Sequence, residues 1–253
     1  MFDAAPVAIQ GAVLGGQDIR TVISRRSDLS TFIVHLTRDD NSELAKDRLK
    51  SIVQSRTIQA RTAFGSAVKR LGDHNRALDS QKCVCFTETP LEYLHLLVGK
   101  IDGRQYDFRP YGVAITKKLA RKAGVNPVWY VDITPGHGWL TNSIDDLISH
   151  CNGNFQTSEV SKIAPFIEQM GTGKGGTYQP YKKEFWWERE WRHVGHFNLP
   201  AHVLLICPEN DFTEFESLAN QNGYTARCID SNWGLEQIIA RLAGFTKQDV
   251  EIL

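Results

Sequence analysis

The stretch EFWWEREWRHVG (184–195) sets three tryptophans and a phenylalanine around Glu188, Arg189, Glu190 and Arg192. Aromatic side chains fit a pleated, half-buried surface, so the composition predicts a strand. Alternation then places Trp186, Glu188, Glu190 and Arg192 on one face and Trp187, Arg189 and Trp191 on the other. Lost hydration beside tryptophan favours a neutral carboxyl, and a nearby guanidinium favours an ionised one, so Glu188 and Glu190 can differ in protonation. The plainer alternative is an edge strand carrying an exposed Glu/Arg ladder, which cross-strand pairing stabilises modestly.

Upstream, TFIVHLT (31–37) is a β-branched and aromatic run that predicts a buried strand ending at His35 to Thr37. A helix follows, with Leu44, Ala45, Leu49, Ile52 and Val53 at helical spacing and Ser42 as its N-cap. The polar stretch 61–81 reads as a loop with at most a short helix. KCVCFTETPLEYLHLLVG (82–99) predicts a strand, a turn at Thr89-Pro90 and a helix with Leu91, Leu94, Leu97 and Val98 on its apolar side. YGVAITKKLARKAG (111–124) reads as a strand and a basic helix closed by Gly124, and NPVWYVDI (126–133) as a further strand. Residues 140–170 show helix-like spacing, and GTGKGGTYQPYKK (171–183) reads as a glycine-rich turn.

Beyond residue 200, strand and helix patterns alternate twice, which predicts a βαβ unit with parallel pairing and a last helix. The expected organisation is a leader over 1–29, an α+β main domain over 30–200 with a mixed twisted sheet, and a βαβα extension over 201–253 packed on it, since about 50 residues make a thin core alone.

The 253 residues hold 29 basic and 29 acidic side chains, so no global field draws the chain to nucleic acid or a membrane. Five cysteines, at 83, 85, 151, 207 and 228, suggest neither a disulfide framework nor a four-ligand zinc site. The N-terminus lacks a basic n-region, and no stretch approaches the roughly 18 apolar residues of a spanning helix. A cytoplasmic protein is expected, without membrane or metal.

GTGKGG lacks the spacing and the following helix of a phosphate loop. Cys83 with His95 or His74 would make a Cys–His pair, yet a CxC step in a strand points both sulfurs to one face, usually into core. His35 and Thr37, with Arg38 after them, stand at a strand-to-helix junction, where polar groups often meet ligands. Thr87, Glu88 and Thr89 stand at a comparable junction, with Thr89 also readable as a helix N-cap.

The order FIVHLTR, VCFTETPLEYL, YGVAITK, NPVWY and WEREWR resembles the AbiGi-like family of abortive phage-resistance proteins, over roughly residues 30 to 245; VCFTETPL and WEREWR are its most specific pieces. That resemblance implies a bacterial cytoplasmic protein of abortive-infection or toxin–antitoxin context, with a cognate toxin or antitoxin from the same locus as partner. A more distant likeness is to the ADP-ribosyltransferase plan. It implies NAD as substrate, with His35 at the ribose, Thr87 or Thr89 beside the nicotinamide, Phe86 or Tyr93 as the accompanying aromatic, Arg38 at the pyrophosphate, and Glu190, or Glu188 in its place, stabilising the oxocarbenium-like ribose. The acceptor would be a protein or a nucleic acid. A non-catalytic antitoxin or phage-sensing protein is the alternative, supported by the density of Trp, Tyr and Arg. A nuclease ranks last for want of an Asp/Glu metal cluster.

Overall fold

The computed structural model describes residues 25–71, 76–102, 104, 106–136, 138–151, 154–174, 180–245 and 249. Most of the expected leader, His74 and the tip of the glycine-rich stretch, 175–179, lie outside them. Strand β1 (Phe32–Arg38) buries Ile33, Val34 and Leu36, so it is apolar on both faces, the pattern of a strand inside a sheet. Helix α1 (Ala45–Ser55) presents Ala45, Leu49, Ile52 and Val53 inward and stops at Arg56, which adopts a left-handed conformation. Ser42 is not its cap: Asp40 accepts from the Ser42 amide and hydroxyl, while Asp39 Oδ1 accepts from Ala45 N at 2.8 Å.

The stretch 57–81 holds short strands β2 (Thr57–Ile58) and β3 (Thr62–Ala63), helix α2 (Ser66–Leu71) and a 3-10 turn, Arg76–Gln81. Strand β4 (Lys82–Thr87) leads into a 3-10 turn, Leu91–Leu96, instead of the α-helix expected there; Pro90 is its N-cap, so Thr89 is not. Strand β5 (Phe108–Thr116) and helix α3 (Lys117–Lys122) match the expected strand and basic helix, with the Thr116 side chain capping α3. The run 126–133 divides: β6 (Asn126–Pro127) pairs with Trp191 and Arg192, whereas β7 (Trp129–Asp132) leaves for another sheet.

Helix α4 (Trp139–Ser149) is as expected, but the next helix, α5 (Glu159–Ile163), ends after five residues. Pro165 cannot supply the amide an α-helix needs, and Ile167 begins a strand, β8 (Ile167–Lys174). The glycines 171 and 173 thus lie in a strand paired with β9 (Pro180–Lys183), not in a turn. A Cβ on Gly171 would meet Asp132 Oδ1 at 2.3 Å, which accounts for a glycine there. Then come β10 (Glu190–Val194), β11 (Phe197–Asn198), β12 (Val203–Ile206), α6 (Phe212–Gln221), β13 (Ala226–Ile229) and α7 (Leu235–Ala243), which Gly244 terminates.

The main sheet is ordered β13-β12-β5-β1-β4-β10-β6, with β3 also on β4. It is mixed: β12 and β13 run parallel and the other pairs antiparallel. This is the expected class of helices with a mixed sheet. Strand β12 pairs with β5 through Leu204↔Ala114, so residues beyond 200 extend the same sheet. Gly112 lets β1 approach closely, since a Cβ there would meet His35 O at 2.3 Å.

One face of the sheet, with Ile33, Val84, Phe86, Val113, Trp191 and Leu205, packs under α1 and α6. The other, with Val34, Leu36, Ala114 and Ile206, packs under α7 and the 91–96 turn. A third core lies between α2, α4, α5 and the β7-β8-β9 sheet.

Among the described residues strand β13 is an edge of the sheet. Cys207 N donates to Ile229 O across β12–β13, so the alternate residue, Cys228, turns its backbone outward. There its amide donates to Glu216 Oε1 at 2.9 Å and its carbonyl accepts from Arg241 Nε at 3.3 Å, while Arg241 and Glu216 pair at 2.6 Å. Side chains from α6 and α7 thereby occupy the positions a further strand would take.

Candidate functional site

Strand β10 begins only at Glu190. Residues Phe185–Glu188 form a 3-10 turn, and Arg189 has φ 45 in the left-handed region. The reason is the partner strand: Glu190 pairs with Thr87, the last residue of β4, so β4 does not continue the ladder alongside 185–188. The turn is instead pinned from the end of β4. The Thr87 hydroxyl donates to Glu188 O at 2.6 Å, and the Glu88 amide donates to Glu188 O and Arg189 O at 3.3 and 3.2 Å. Thr87 and Thr89 hydroxyls lie 2.9 Å apart. Trp186 and Trp187 stay 53% and 40% exposed on this turn.

Below it, Arg192 organises the acids. Its side chain is 1% exposed. Nε and Nη2 donate to the two oxygens of Glu190 at 2.9 and 2.8 Å, Nη2 to Glu168 Oε2 at 2.5 Å, and Nη1 to Pro165 O at 2.7 Å. Glu168 also accepts from Lys183 at 2.5 Å. Burial opposes the charge of both groups, yet Glu190 and Glu168 hold Arg192 above its usual range, and Arg192 with Lys183 holds Glu168 below the usual carboxylate value. The pairs join β10 of the main sheet to β8 of the smaller one.

Glu188 differs. Burial pushes its carboxyl up to about 7, against the pull of Arg104 and with a further push from Glu190. Its Oε1 lies 3.9 Å from Arg104 Nη1, and neither atom has a hydrogen-bond partner among the described residues. Arg104 is otherwise fixed, donating to Tyr106 O, Leu97 O and Gly99 O, with its guanidinium 4.6 Å from the Phe108 ring centroid. Burial lowers its own pKa. Glu88 is buried as well: Oε1 accepts from Lys117 and Oε2 from the Trp191 indole, both at 2.8 Å, with Arg189 Nη1 3.9 Å away.

The chain therefore brings Glu188, Glu190, Thr87 and Thr89 together. His35 and Thr37 do not join them. Val34 pairs with Thr87 and Thr87 with Glu190, so these share a face, whereas His35 pairs with Val113 on the Ile33 face. The sheet lies between His35 and Glu190. His35 donates through Nδ1 to Cys85 O at 2.8 Å, and burial lowers its pKa, which keeps it neutral. The Thr37 hydroxyl is spent on Ala45 O and Tyr111 O. Arg38 lies over the Tyr106 ring, Phe86 is core, and Tyr93 is exposed on the 91–96 turn.

Cys83 donates to Gln81 O and burial pushes its thiol up to about 12; His95 is exposed and bonded to Glu92 O, so the two form no pair. Among the described residues no group of three or more His, Cys, Asp or Glu is placed to hold a metal, and no helix is long and apolar enough to cross a membrane. Reading the sequence missed Arg104, Glu168, Lys183 and Lys117. A buried Glu188 and Arg192 demand partners, but nothing in residue spacing says which distant charges supply them.

No curated protein and no solved structure matches the chain. A family model described as "Putative abortive phage resistance protein AbiGi, antitoxin" matches residues 50–228. The match takes in VCFTETPL and WEREWR and begins after FIVHLTR. It spans most of the sheet and the whole cluster of acids and arginines, and on that ground the chain belongs to the AbiGi family of abortive phage-resistance proteins.

Proposed function

We propose that this chain is the antitoxin of a phage-defence pair and acts by binding its cognate toxin, not by catalysis. The observation that carries the reading is the exposed Trp186–Trp187 pair on a turn whose backbone is pinned by Thr87 and Glu88. Tryptophan on a pre-organised backbone is hot-spot chemistry: little entropy is lost when the partner covers it. The ion pairs beneath serve as the platform. Arg192 engages both oxygens of Glu190, which suits a support better than a group awaiting a ribose. The family description, which names an antitoxin, favours the same reading. Co-expression with the toxin of the same locus tests it: wild type restores growth, and Trp186→Ala/Trp187→Ala, folded and expressed equally, does not. Full rescue by that variant would overturn the role of the turn.

The competing reading is an NAD-dependent ADP-ribosyltransferase. Its support is Glu188, a carboxyl pushed up to about 7 and, among the described residues, without a hydrogen-bond partner at Oε1. Against it, His35 faces the other side of the sheet. Nicotinamide released from NAD by wild type and lost in Glu188→Gln would establish the enzyme and displace the antitoxin proposal.

A further inference from the structure

Helix α3 carries Lys117, Lys118, Arg121 and Lys122. Lys117 is accounted for by Glu88. Lys118, Arg121 and Lys122 are exposed and form no ion pair among the described residues. Several surface cations elsewhere have acids: Lys46 and Lys50 pair with Glu214, Arg109 with Asp39, Arg70 with Asp145. Arg121 and Lys122 occupy the last turn, where the helix dipole welcomes positive charge. Lys118 has no such excuse. It sits in the first turn, against the dipole, and four residues from Lys122, a like-charge spacing that costs a helix a few tenths of a kcal/mol. The helix accepts a penalty that no acid among the described residues relieves.

Its position gives the penalty a use. Glu88 Oε1 is shared between Lys117, at 2.8 Å, and Arg189 Nη1, at 3.9 Å, and Arg189 immediately follows the turn bearing Trp186 and Trp187. The start of α3 is thus tied through one buried carboxylate to the aromatic turn. An apolar anchor with a charged margin is the anatomy of a protein interface. Resting on the antitoxin reading, we propose that α3 is the cationic rim of the toxin-binding surface and meets an acidic patch of the toxin. A protein partner is favoured over nucleic acid because the chain balances 29 basic against 29 acidic residues, and three cations on one short helix fall short of a phosphate-tracking groove.

The test is association kinetics with the purified toxin of the same locus, at about 50 and about 300 mM salt. The rim steers encounter, so Lys118→Glu/Arg121→Glu/Lys122→Glu should slow association about tenfold or more at low salt, flatten its salt dependence and leave melting unchanged. Lys118→Gln/Lys122→Gln, which reverses no charge, should move association the same way by a smaller factor and guards against misfolding of the first variant. Unchanged association in both variants, with binding still lost in Trp186→Ala/Trp187→Ala, would overturn the rim and spare the antitoxin reading. A wild type that does not bind toxin would overturn both. Low-salt binding of a single-stranded RNA that the charge reversal abolishes would assign the surface to nucleic acid instead.

Discussion

Replacing Arg192 by methionine keeps most of its volume and removes its charge. The change strips both hydrogen bonds from Glu190 and one from Glu168, and frees Pro165 O. Breaking a buried ion pair from one side costs about 3–5 kcal/mol because the remaining charge is left uncompensated. Lys183 still serves Glu168, which sets the expected loss near the lower figure, about 3 kcal/mol. For a domain of this size that lowers Tm by about 6–12 °C. Urea unfolding at pH 7 reads the loss directly. Adding Glu168→Gln and Glu190→Gln to Arg192→Met should recover most of it, since no buried charge then lacks a partner. Acid gives a second check. Glu168 is held below its usual value, so its stabilising contribution is present above the unfolded pKa and is lost as pH falls through the folded one. The gap between wild type and Arg192→Met should therefore narrow below about pH 4. A loss under about 1 kcal/mol at pH 7 would refute the view of Arg192 as the support of this surface.

Glu188 carries the opposite sign. Its folded pKa, about 7, lies above that of an unfolded glutamate, so the folded chain loses stability as pH rises between the two. Glu188→Gln should remove that loss and be relatively more stable at pH 8 than at pH 5, by on the order of 3 kcal/mol, in melts across pH. Thr87→Val deletes the hydroxyl that holds Glu188 O; a cost of about 1–2 kcal/mol and weaker toxin binding are expected, and wild-type behaviour in both would show that the turn needs no such pin. Glu216→Ala/Arg241→Ala uncovers the outer edge of β13 and should produce concentration-dependent dimers by light scattering, whereas a monomer at all concentrations would mean the edge is guarded by other means.

Much of the sheet was legible because its strands carry their own signal. The run 31–37 and the alternation beyond 200 need no distant information, and β12-α6-β13-α7 follows the expected strand–helix order. Where the reading departs, a long-range contact decides. EFWWEREWR has strand composition throughout, but β4 ends opposite Glu190, and the four residues before Arg189 curl into a turn. Residues 158–170 have helical spacing, yet Pro165 stops the helix and β7 draws 167–170 into a parallel pair. The site divides in the same way. Glu188, Glu190 and Thr87 gather because they flank one strand pair. Grouping His35 with them needs the face of β1, which depends on register with β5, and Arg104, Glu168 and Lys183 reach the cluster from elements whose placement is tertiary.

The most direct test of the binding role is a calorimetric titration of the purified chain with its cognate toxin. A complex that Trp186→Ala/Trp187→Ala weakens about thirtyfold or more, with melting unchanged, is the result expected of two exposed hot-spot residues on a fixed turn. No heat of binding at micromolar toxin, or equal affinity in the double variant, would contradict it.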